Sequence, residues 1–287
     1  IASEVCASSG NGTSHPSDDV TTGFWPRTRW ELQDAVFKCV GPCVTGLSGS
    51  GVQYCAYNSQ WNYKNPNWWK GVGTSCLNKN TNVGLGRGFG TYGTIGSFDV
   101  RRITVMENLF AYALHFNAPL ETWNTAKVTS MKFMFWNAQK FDQDISNWDV
   151  GRVTNMLGMF NTAQSYNHPL SGWDTSSVMV MQSTFASAYK FNQPLLDWDV
   201  SSATTIQQMF LEAHQFNQYL DSWNVSAVSN MDRFLAGAIN FHQDALCAEA
   251  WVRSQATKVN MFDHVKKGSI ASEVCASSGN GTSHPSD

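Results

Sequence analysis

Tryptophan recurs at a constant interval through the middle of the chain, and this period constrains the fold more than any other feature. The five positions, each 25 after the one before, are Trp123, Trp148, Trp173, Trp198 and Trp223. Columns of alanine, methionine and phenylalanine or tyrosine keep the same spacing. A period between about 20 and 50 residues is typical of solenoids, in which each unit stacks only on its neighbours. The period therefore predicts six stacked coils over residues 98–244.

Each coil is predicted to contain one short parallel strand and one short helix. Apolar and polar residues alternate around Val178–Met181, as they do in a strand. Phe185 and Ala188 then recur at helical spacing, and Pro194 breaks that helix because proline lacks a backbone donor. We therefore expect an α/β repeat solenoid of the leucine-rich-repeat type. Its predicted core consists of the five tryptophans together with Phe135, Phe160, Phe185 and Phe210.

Two polar columns accompany the apolar ones. The first contains Asp99, Asn124, Asp149, Asp174, Asp199 and Asn224. We expect each of these side chains to cap its own turn through backbone amides, and a ladder of calcium sites is the alternative. The second column contains Asn117, Asp142, Asn167, Asn192, Asn217 and His242. It is predicted to form an internal hydrogen-bond ladder that satisfies backbone groups in the turns.

The repeat pattern V-T-x-M-x-x-M-F-x-x-A-x-x-F-N-Q-P/D-L-x-x-W-D-V-S resembles that of the BspA-type leucine-rich-repeat surface proteins of bacteria, algae and other protists. The resemblance covers the six units of 98–244. It implies a right-handed solenoid on a secreted or cell-surface protein, with a role in adhesion or surface structure. No enzymatic activity is attached to this repeat.

The segments that flank the repeats are expected to cap the solenoid. Residues 19–97 are predicted to be an N-terminal cap with an insertion rich in Cys and Trp, and its start resembles the leader of algal family members. Residues 245–287 are predicted to be a helical C-terminal cap and a junction to the next module. Similarity to the family's C-terminal segment implies a disulfide between Cys247 and Cys275. The remaining cysteines of the insertion form two bridges whose pairing stays open: Cys39, Cys43, Cys55 and Cys76.

Residues 1–18 are identical to residues 270–287. We interpret residues 1–18 as the tail of a preceding module, so that Cys6 pairs within that module and one complete repeating unit is residues 19–287. Tandem modules in one polypeptide would give this overlap. A duplication without biological content and separate chains that exchange their ends are the alternatives.

Composition and short motifs narrow the partners and the location. Charged residues make up 14% of the chain, the net charge is −3 and no basic block occurs, which argues against nucleic acid. No apolar run is long enough to cross a membrane. The chain has seven cysteines, but Cys275 is the duplicate of Cys6, which leaves six independent positions, an even number. Together with glycosylation sequons at Asn11, Asn224 and Asn280, these cysteines favour an extracellular or cell-surface location. No catalytic motif, metal-ligand set or cofactor motif is found, so we do not expect an enzyme.

These observations predict a structural module of an extracellular filament or cell-surface layer. Its partners would be copies of itself, joined head to tail as tandem modules or as identical subunits. The alternative is an adhesin-like module that binds a glycan or another surface protein. Four aromatic residues are candidates for either assembly or sugar stacking: Trp61, Tyr63, Trp68 and Trp69.

Overall fold

The computed structural model describes residues 26, 28–30, 32–33, 36, 95–241 and 249–265, and the chain divides into two compact units, Ile1–Phe98 and Asp99–Asp287. In the first unit, Leu32 and Val36 lie on a helical segment and are fully buried. A short 3-10 helix follows at Ile95–Ser97. Most of the predicted N-terminal cap lies outside the described residues.

The second unit follows a backbone path that returns to the same environment once in every repeat. Isolated parallel β-bridges link one residue of each repeat to one of the next, through Val105, Ser130, Asn155, Val180, Thr205, Asn230 and Thr257. We number repeats 1 to 6 from residues 99, 123, 148, 173, 198 and 223, and repeat 7 comprises 249–265. The predicted strand is thus a single bridge residue in each repeat, and the described residues contain no longer strand.

Alternate backbone N–H groups after each bridge donate to the next repeat. In repeat 2, the N–H groups of Met131, Phe133, Phe135 and Asn137 donate to carbonyl oxygens of repeat 3, at 2.7–3.0 Å. The intervening N–H group of Trp136 donates instead to the Phe133 carbonyl, at 3.2 Å. The backbone therefore closes tight turns within a repeat and joins successive repeats at the same time.

The short helix predicted in each coil is wrong for residues 98–241, where turns take its place. An α-helix needs consecutive N–H groups that bond four residues back, whereas alternate N–H groups here leave for the next repeat. Two residues per repeat also take left-handed backbone conformations, as Phe133 and Asn137 do at φ of 55° and 58°. The helical spacing of Phe185 and Ala188 thus comes from successive three-residue turns.

Aromatic side chains form continuous files through the core. Neighbouring rings of Phe110, Phe135, Phe160, Phe185 and Phe210 stack nearly parallel, with centroids 5.3–5.6 Å apart. A second file contains Phe116, Phe141, Tyr166, Phe191, Phe216 and Phe241, with centroids 5.7–6.3 Å apart. Stacked aromatic pairs add about 0.5–1.5 kcal/mol each beyond the burial of their surface, so these files link every repeat to its neighbours.

The predicted tryptophan column is buried and lies beside these files. Trp123 stacks on Trp148 at a centroid distance of 6.3 Å, and Trp173 stacks on Trp198 at 6.2 Å. From Trp148 onward, each indole N–H donates to a carbonyl 28 residues earlier, near the end of the repeat two before its own, as Trp148 does to Leu120 at 3.1 Å. Each tryptophan therefore buries its ring without leaving its polar N–H group unpaired.

Repeat-type contacts continue beyond residue 244, where the sequence pattern ends. Trp251 stacks on Trp223 at 6.4 Å and donates to the Leu220 carbonyl at 3.1 Å. It belongs to helix α1, Glu249–Arg253, which precedes the last bridge residue, Thr257. The tryptophan file that the sequence loses at residue 248 is thus continued three residues later.

Repeat 7 also keeps the two left-handed positions, at Asn260 and His264 with φ of 54° and 59°. Its backbone N–H groups at Lys258, Asn260, Phe262 and His264 occupy the positions from which earlier repeats donate forward. None of these four N–H groups donates to another described residue. The last described repeat therefore presents a row of backbone donors that no other described residue accepts, and we call it the open row of backbone donors.

Candidate interaction surface

The turn that carries each tryptophan is held by an Asp or Asn side chain. In repeats 1 to 6, this side chain accepts a hydrogen bond from the backbone N–H two residues later, at 2.8–3.2 Å. The prediction that the first polar column caps its own turns is confirmed. Among the residues that the structure describes, no group of three His, Cys, Asp or Glu side chains is suited to hold a metal ion.

Hydrogen bonds keep several of these carboxylates charged. Bonds from the Ser176 hydroxyl and backbone lower the pKa of Asp174, and Ser201 lowers the pKa of Asp199 in the same way. Hydrogen bonds from the Arg101 side chain lower the pKa of Asp99, with which Arg101 forms an ion pair at 2.7 Å. Aspartates are already charged at neutral pH, so these lowered pKa values extend the charge to lower pH, while repeats 2 and 6 have neutral Asn124 and Asn224 in the same place.

The second polar column forms the predicted ladder from Asn117 to Asn217, and its last predicted member, His242, lies outside the described residues. The side-chain oxygens of Asn117, Asp142, Asn167 and Asn192 each accept the backbone N–H of the next member of the column, at 2.8–3.1 Å. Gln193 adds a bond from its amide nitrogen to the Asn167 side-chain oxygen at 3.1 Å. This ladder joins the turns of repeats 1 to 5 along one side.

An exposed row of mostly hydroxyl side chains lies one residue before each bridge. The row, which we call the threonine row, contains Thr104, Thr129, Thr154, Met179, Thr204 and Ser229, and all six are exposed. The Thr129 hydroxyl donates to the Thr104 carbonyl at 3.1 Å, and the Ser229 hydroxyl donates to the Thr204 carbonyl at 2.9 Å. Met179, half exposed, is the apolar member of the threonine row.

A neighbouring row, two residues before the threonine row, changes from basic to small side chains halfway along the repeats. Repeats 1 to 3 place Arg102, Lys127 and Arg152 there, and all three are exposed. Repeats 4 to 6 place Ser177, Ser202 and Ala227 at the same positions. The Ser177 hydroxyl donates to the Gly151 carbonyl at 2.8 Å, which shows that this turn of repeat 4 lies directly on that of repeat 3.

Several predicted site residues lie outside the described residues. These are all seven cysteines, the aromatic residues Trp61, Tyr63, Trp68 and Trp69, and the sequon residues Asn11 and Asn280. Asn224 is described: it is exposed, and its side-chain oxygen accepts the Ser226 backbone N–H at 3.2 Å. The third sequon is thus on an accessible turn.

A group of aromatic residues outside the core files was not predicted as a site. Tyr112, Phe133 and Trp136 are half-buried, with the Trp136 ring 4.7 Å from Tyr112 and 5.0 Å from Phe133. The Lys132 ammonium lies 5.4 Å from the centroid of the Phe133 ring. One sequence feature could have identified these three residues: they are aromatic in columns that hold mostly small or polar residues in the other repeats.

Comparisons with known proteins agree with the repeat pattern. The family model described as "Mycoplasma protein of unknown function, DUF285" matches residues 87–193 and 168–272. No curated protein and no solved structure matches the chain. Within the described part of the chain, no helix is long and apolar enough to cross a membrane. The two matched segments together span more than half of the 287 residues, and the chain therefore belongs to the DUF285 family.

Proposed function

We propose that this chain is a structural module of an extracellular filament or cell-surface layer of the BspA-like kind. In this proposal its repeats form a solenoid, and modules join head to tail as tandem units or as identical subunits. The supporting observation is the unbroken series of contacts from repeat 1 to repeat 7, in which bridges, stacked rings and amide ladders join only neighbouring repeats. Such a series gives mechanical continuity along one direction.

The open row of backbone donors in repeat 7 is a second support. A row of unpaired N–H groups is a template for another backbone, and proteins usually cover or block it. Lys258, Asn260, Phe262 and His264 form this row at the last described repeat. Head-to-tail joining would supply carbonyl partners from the following module.

Electron microscopy of the native secreted material tests the proposal. We expect filaments with a regular axial period, and an intact mass that is a multiple of the mass of residues 19–287 if the modules are tandem. Single particles at every concentration, with the mass of one module, would contradict it. Reduction of disulfides should loosen the junctions if the predicted Cys247–Cys275 bridge pins the end of each module.

Hydrogen exchange tests the solenoid separately. The N–H groups of Met156, Gly158, Phe160 and Thr162 donate to repeat 4 at 2.7–2.9 Å and should exchange slowly. The corresponding N–H groups of repeat 7 should exchange quickly in an isolated module and slowly in filaments. If the N–H groups of repeat 7 are equally protected in both states, filament formation does not depend on this row of donors.

An adhesin-like module is the second candidate, and the group of Tyr112, Phe133 and Trp136 favours it. Half-exposed aromatic rings beside Lys132 offer faces on which sugar rings can stack. A glycan array probed with the wild type and with Trp136→Ala tests this candidate. Binding that Trp136→Ala abolishes would support it, and the absence of any bound glycan would leave the structural proposal in place.

A further inference from the structure

The exposed face around the tryptophan turns is asymmetric in charge along the repeats. Arg102, Lys127 and Arg152 lie in repeats 1 to 3, and the same row holds no basic residue in repeats 4 to 6. Repeats 4 and 5 carry exposed Asp174, Asp197 and Asp199 beside that row, with no basic residue in the row to offset them, whereas Asp99 and Asp149 of repeats 1 and 3 lie beside Arg102 and Arg152 of the row. Asp174 raises the pKa of Asp199 by repulsion, against the larger lowering by Ser201, so these two carboxylates lie near each other.

Stacking prevents the basic side chains from moving far apart. Neighbouring positions in parallel strands lie about 4.8 Å apart, so three cations in one row repel each other unless they are paired with anions. Arg102, Lys127 and Arg152 form no ion pair with any described residue, although Arg102 lies near enough to the Asp99 carboxylate to lower its pKa. The row therefore gains from a ligand that presents negative charge at a matching spacing.

We propose that this face binds a second copy of the chain side by side, with the two series of repeats antiparallel. A two-fold axis between repeats 3 and 4 sets repeat 1 opposite repeat 6, repeat 2 opposite repeat 5 and repeat 3 opposite repeat 4. Arg102 then faces Ala227 of the second copy, and Lys127 faces its Ser202. Arg152 faces Ser177 of the second copy.

Both size and charge match in this arrangement. Each long basic side chain meets a small side chain of the second copy, which leaves room for it. In the adjacent row, Asp199 and Asp174 lie opposite Lys127 and Arg152, and neutral Asn224 lies opposite Arg102. Asp199 and Asp174 are charged at neutral pH, as aspartates ordinarily are, and serine hydrogen bonds lower their pKa values further. Complementary charge steers such encounters and fixes their register.

The threonine row supplies an apolar contact at the centre of the same face. Met179 is 50% exposed and lies in repeat 4, next to the proposed axis. The antiparallel arrangement brings it to Thr154 and Met179 of the second copy. Burial of its exposed half would be favourable, so the pair would have a small apolar centre flanked by charges. This lateral contact is independent of head-to-tail joining.

Substitutions that exchange residue types within the row provide the test. The first variant combines Arg102→Ser, Lys127→Ser and Arg152→Ser, and the second combines Ser202→Arg with Ala227→Arg. The row already contains both residue types at equivalent positions, so both variants should fold. The control combines Lys140→Ser with Lys190→Ser, two exposed cations on another turn.

Sedimentation equilibrium of the full chain should show reversible dimers of the wild type that weaken as salt rises. Each row variant should associate with itself at least about tenfold more weakly, because it loses one side of the charge pairing. An equimolar mixture of the two variants should regain association, since small side chains in one copy then face basic ones in the other. The control should associate like the wild type.

Several outcomes would overturn the proposal. A wild type that stays monomeric at high concentration and low salt removes the dimer, and so do variants that fail to complement each other. Dextran sulfate serves as a probe for a polyanion: loss of its binding in the triple serine variant, with unchanged self-association, would assign the row to an anionic polymer instead. If filaments persist in both variants, head-to-tail joining does not depend on this row, and the association measurements test the lateral contact alone.

Discussion

Repeats 4 and 7 make the same kinds of contact with earlier repeats through residues at different spacings. Repeat 4 keeps the common period, whereas repeat 7 has its tryptophan at position 251 instead of 248 and its bridge residue at position 257 instead of 255. Trp251 nevertheless stacks and donates as Trp173 does. The comparison teaches that the repeat is defined by the contacts it makes with its neighbour, and that the residue count is only the usual way to reach them.

Removal of the tryptophan ring should give the largest effect and should separate the two repeats. Trp173→Ala deletes a fully buried ring that contacts repeats on both sides, and we expect a loss of about 3–5 kcal/mol in the free energy of unfolding. Trp251→Ala should cost roughly half as much, because its file continues on one side only in the described residues. Urea unfolding measures both.

Trp173→Phe serves as the control for that pair. It keeps a ring but leaves the Ile145 carbonyl without the indole donor, which costs about 1–3 kcal/mol. Equal losses for Trp173→Ala and Trp251→Ala would break the comparison, since the terminal repeat would then be as tightly held as an inner one.

The left-handed position after the bridge offers the next largest effect. Gly158 has a φ of 58°, and a Cβ atom there would meet the Phe133 ring of the preceding repeat. Gly158→Ala should therefore destabilise the protein by about 1–3 kcal/mol. In repeat 7 the same position is Asn260, a residue type that adopts the left-handed conformation more readily than most. Asn260→Gly should therefore change the free energy of unfolding by only a few tenths of the loss expected for Gly158→Ala.

Denaturant unfolding of the double variant Gly158→Ala with Phe133→Ala sharpens this prediction. If the clash dominates, removal of the ring should recover part of the loss, whereas backbone strain alone would leave it unchanged. A neutral Gly158→Ala would contradict both explanations.

Capping of the tryptophan turn should contribute less, and it should depend on pH. Asp174→Ala should cost about 1 kcal/mol, while Asp174→Asn should be nearly neutral because Asn124 and Asn224 cap equivalent turns. In repeat 7 the Ser254 hydroxyl accepts the Ala256 N–H at 3.2 Å, and Ser254→Ala should cost less than Asp174→Ala.

The sign of the pH effect follows from the lowered pKa values of Asp174 and Asp199. Their charged forms stabilise the fold above the ordinary Asp pKa of about 4, and this contribution disappears as pH falls through the folded-state pKa. Asp174→Asn with Asp199→Asn should flatten the acid side of the unfolding midpoint against pH. An unchanged acid limb would show that other carboxylates control it.

Tyr166→Phe should give an effect similar in size to that of Asp174→Ala, with the opposite sign. Its hydroxyl is buried in the second aromatic file without a hydrogen-bond partner among the described residues, and burial raises its pKa well above the usual value. Tyr166→Phe should stabilise the protein by about 1 kcal/mol, because phenylalanine fills this position in the neighbouring repeats. Thermal unfolding measures the shift, and a lower melting temperature would show that the hydroxyl has a partner.

The sequence was sufficient to predict which residues share the core columns, but not to predict the backbone conformation. The columns of Trp148, Phe160 and Asn167 lie in the files and the ladder that their spacing predicted. The turns were mistaken for helices because Phe133 and Gln208 take left-handed conformations without being glycine. Only the diversion of alternate N–H groups to the next repeat stabilises such residues, and no local pattern reveals it.

The interaction surface was harder to predict than the core. Arg102 and Ser202 belong to one column, but their exposure and their shared face appear only once the turns are stacked. The slip at Trp251 was missed for a related reason, since a fixed period has no means to recognise a ring that arrives three residues late.

The spacing of the side-chain bonds has an evolutionary consequence. The bonds from Thr129 and the Asn192 backbone join residues 25 apart, and the Trp198 indole bonds a carbonyl 28 residues back, so partners are always separated by little more than one repeat length. A gene that gains or loses one whole repeat keeps every class of partner, whereas a smaller insertion must be absorbed at an end. Unequal crossing-over can thus lengthen or shorten this protein in discrete steps.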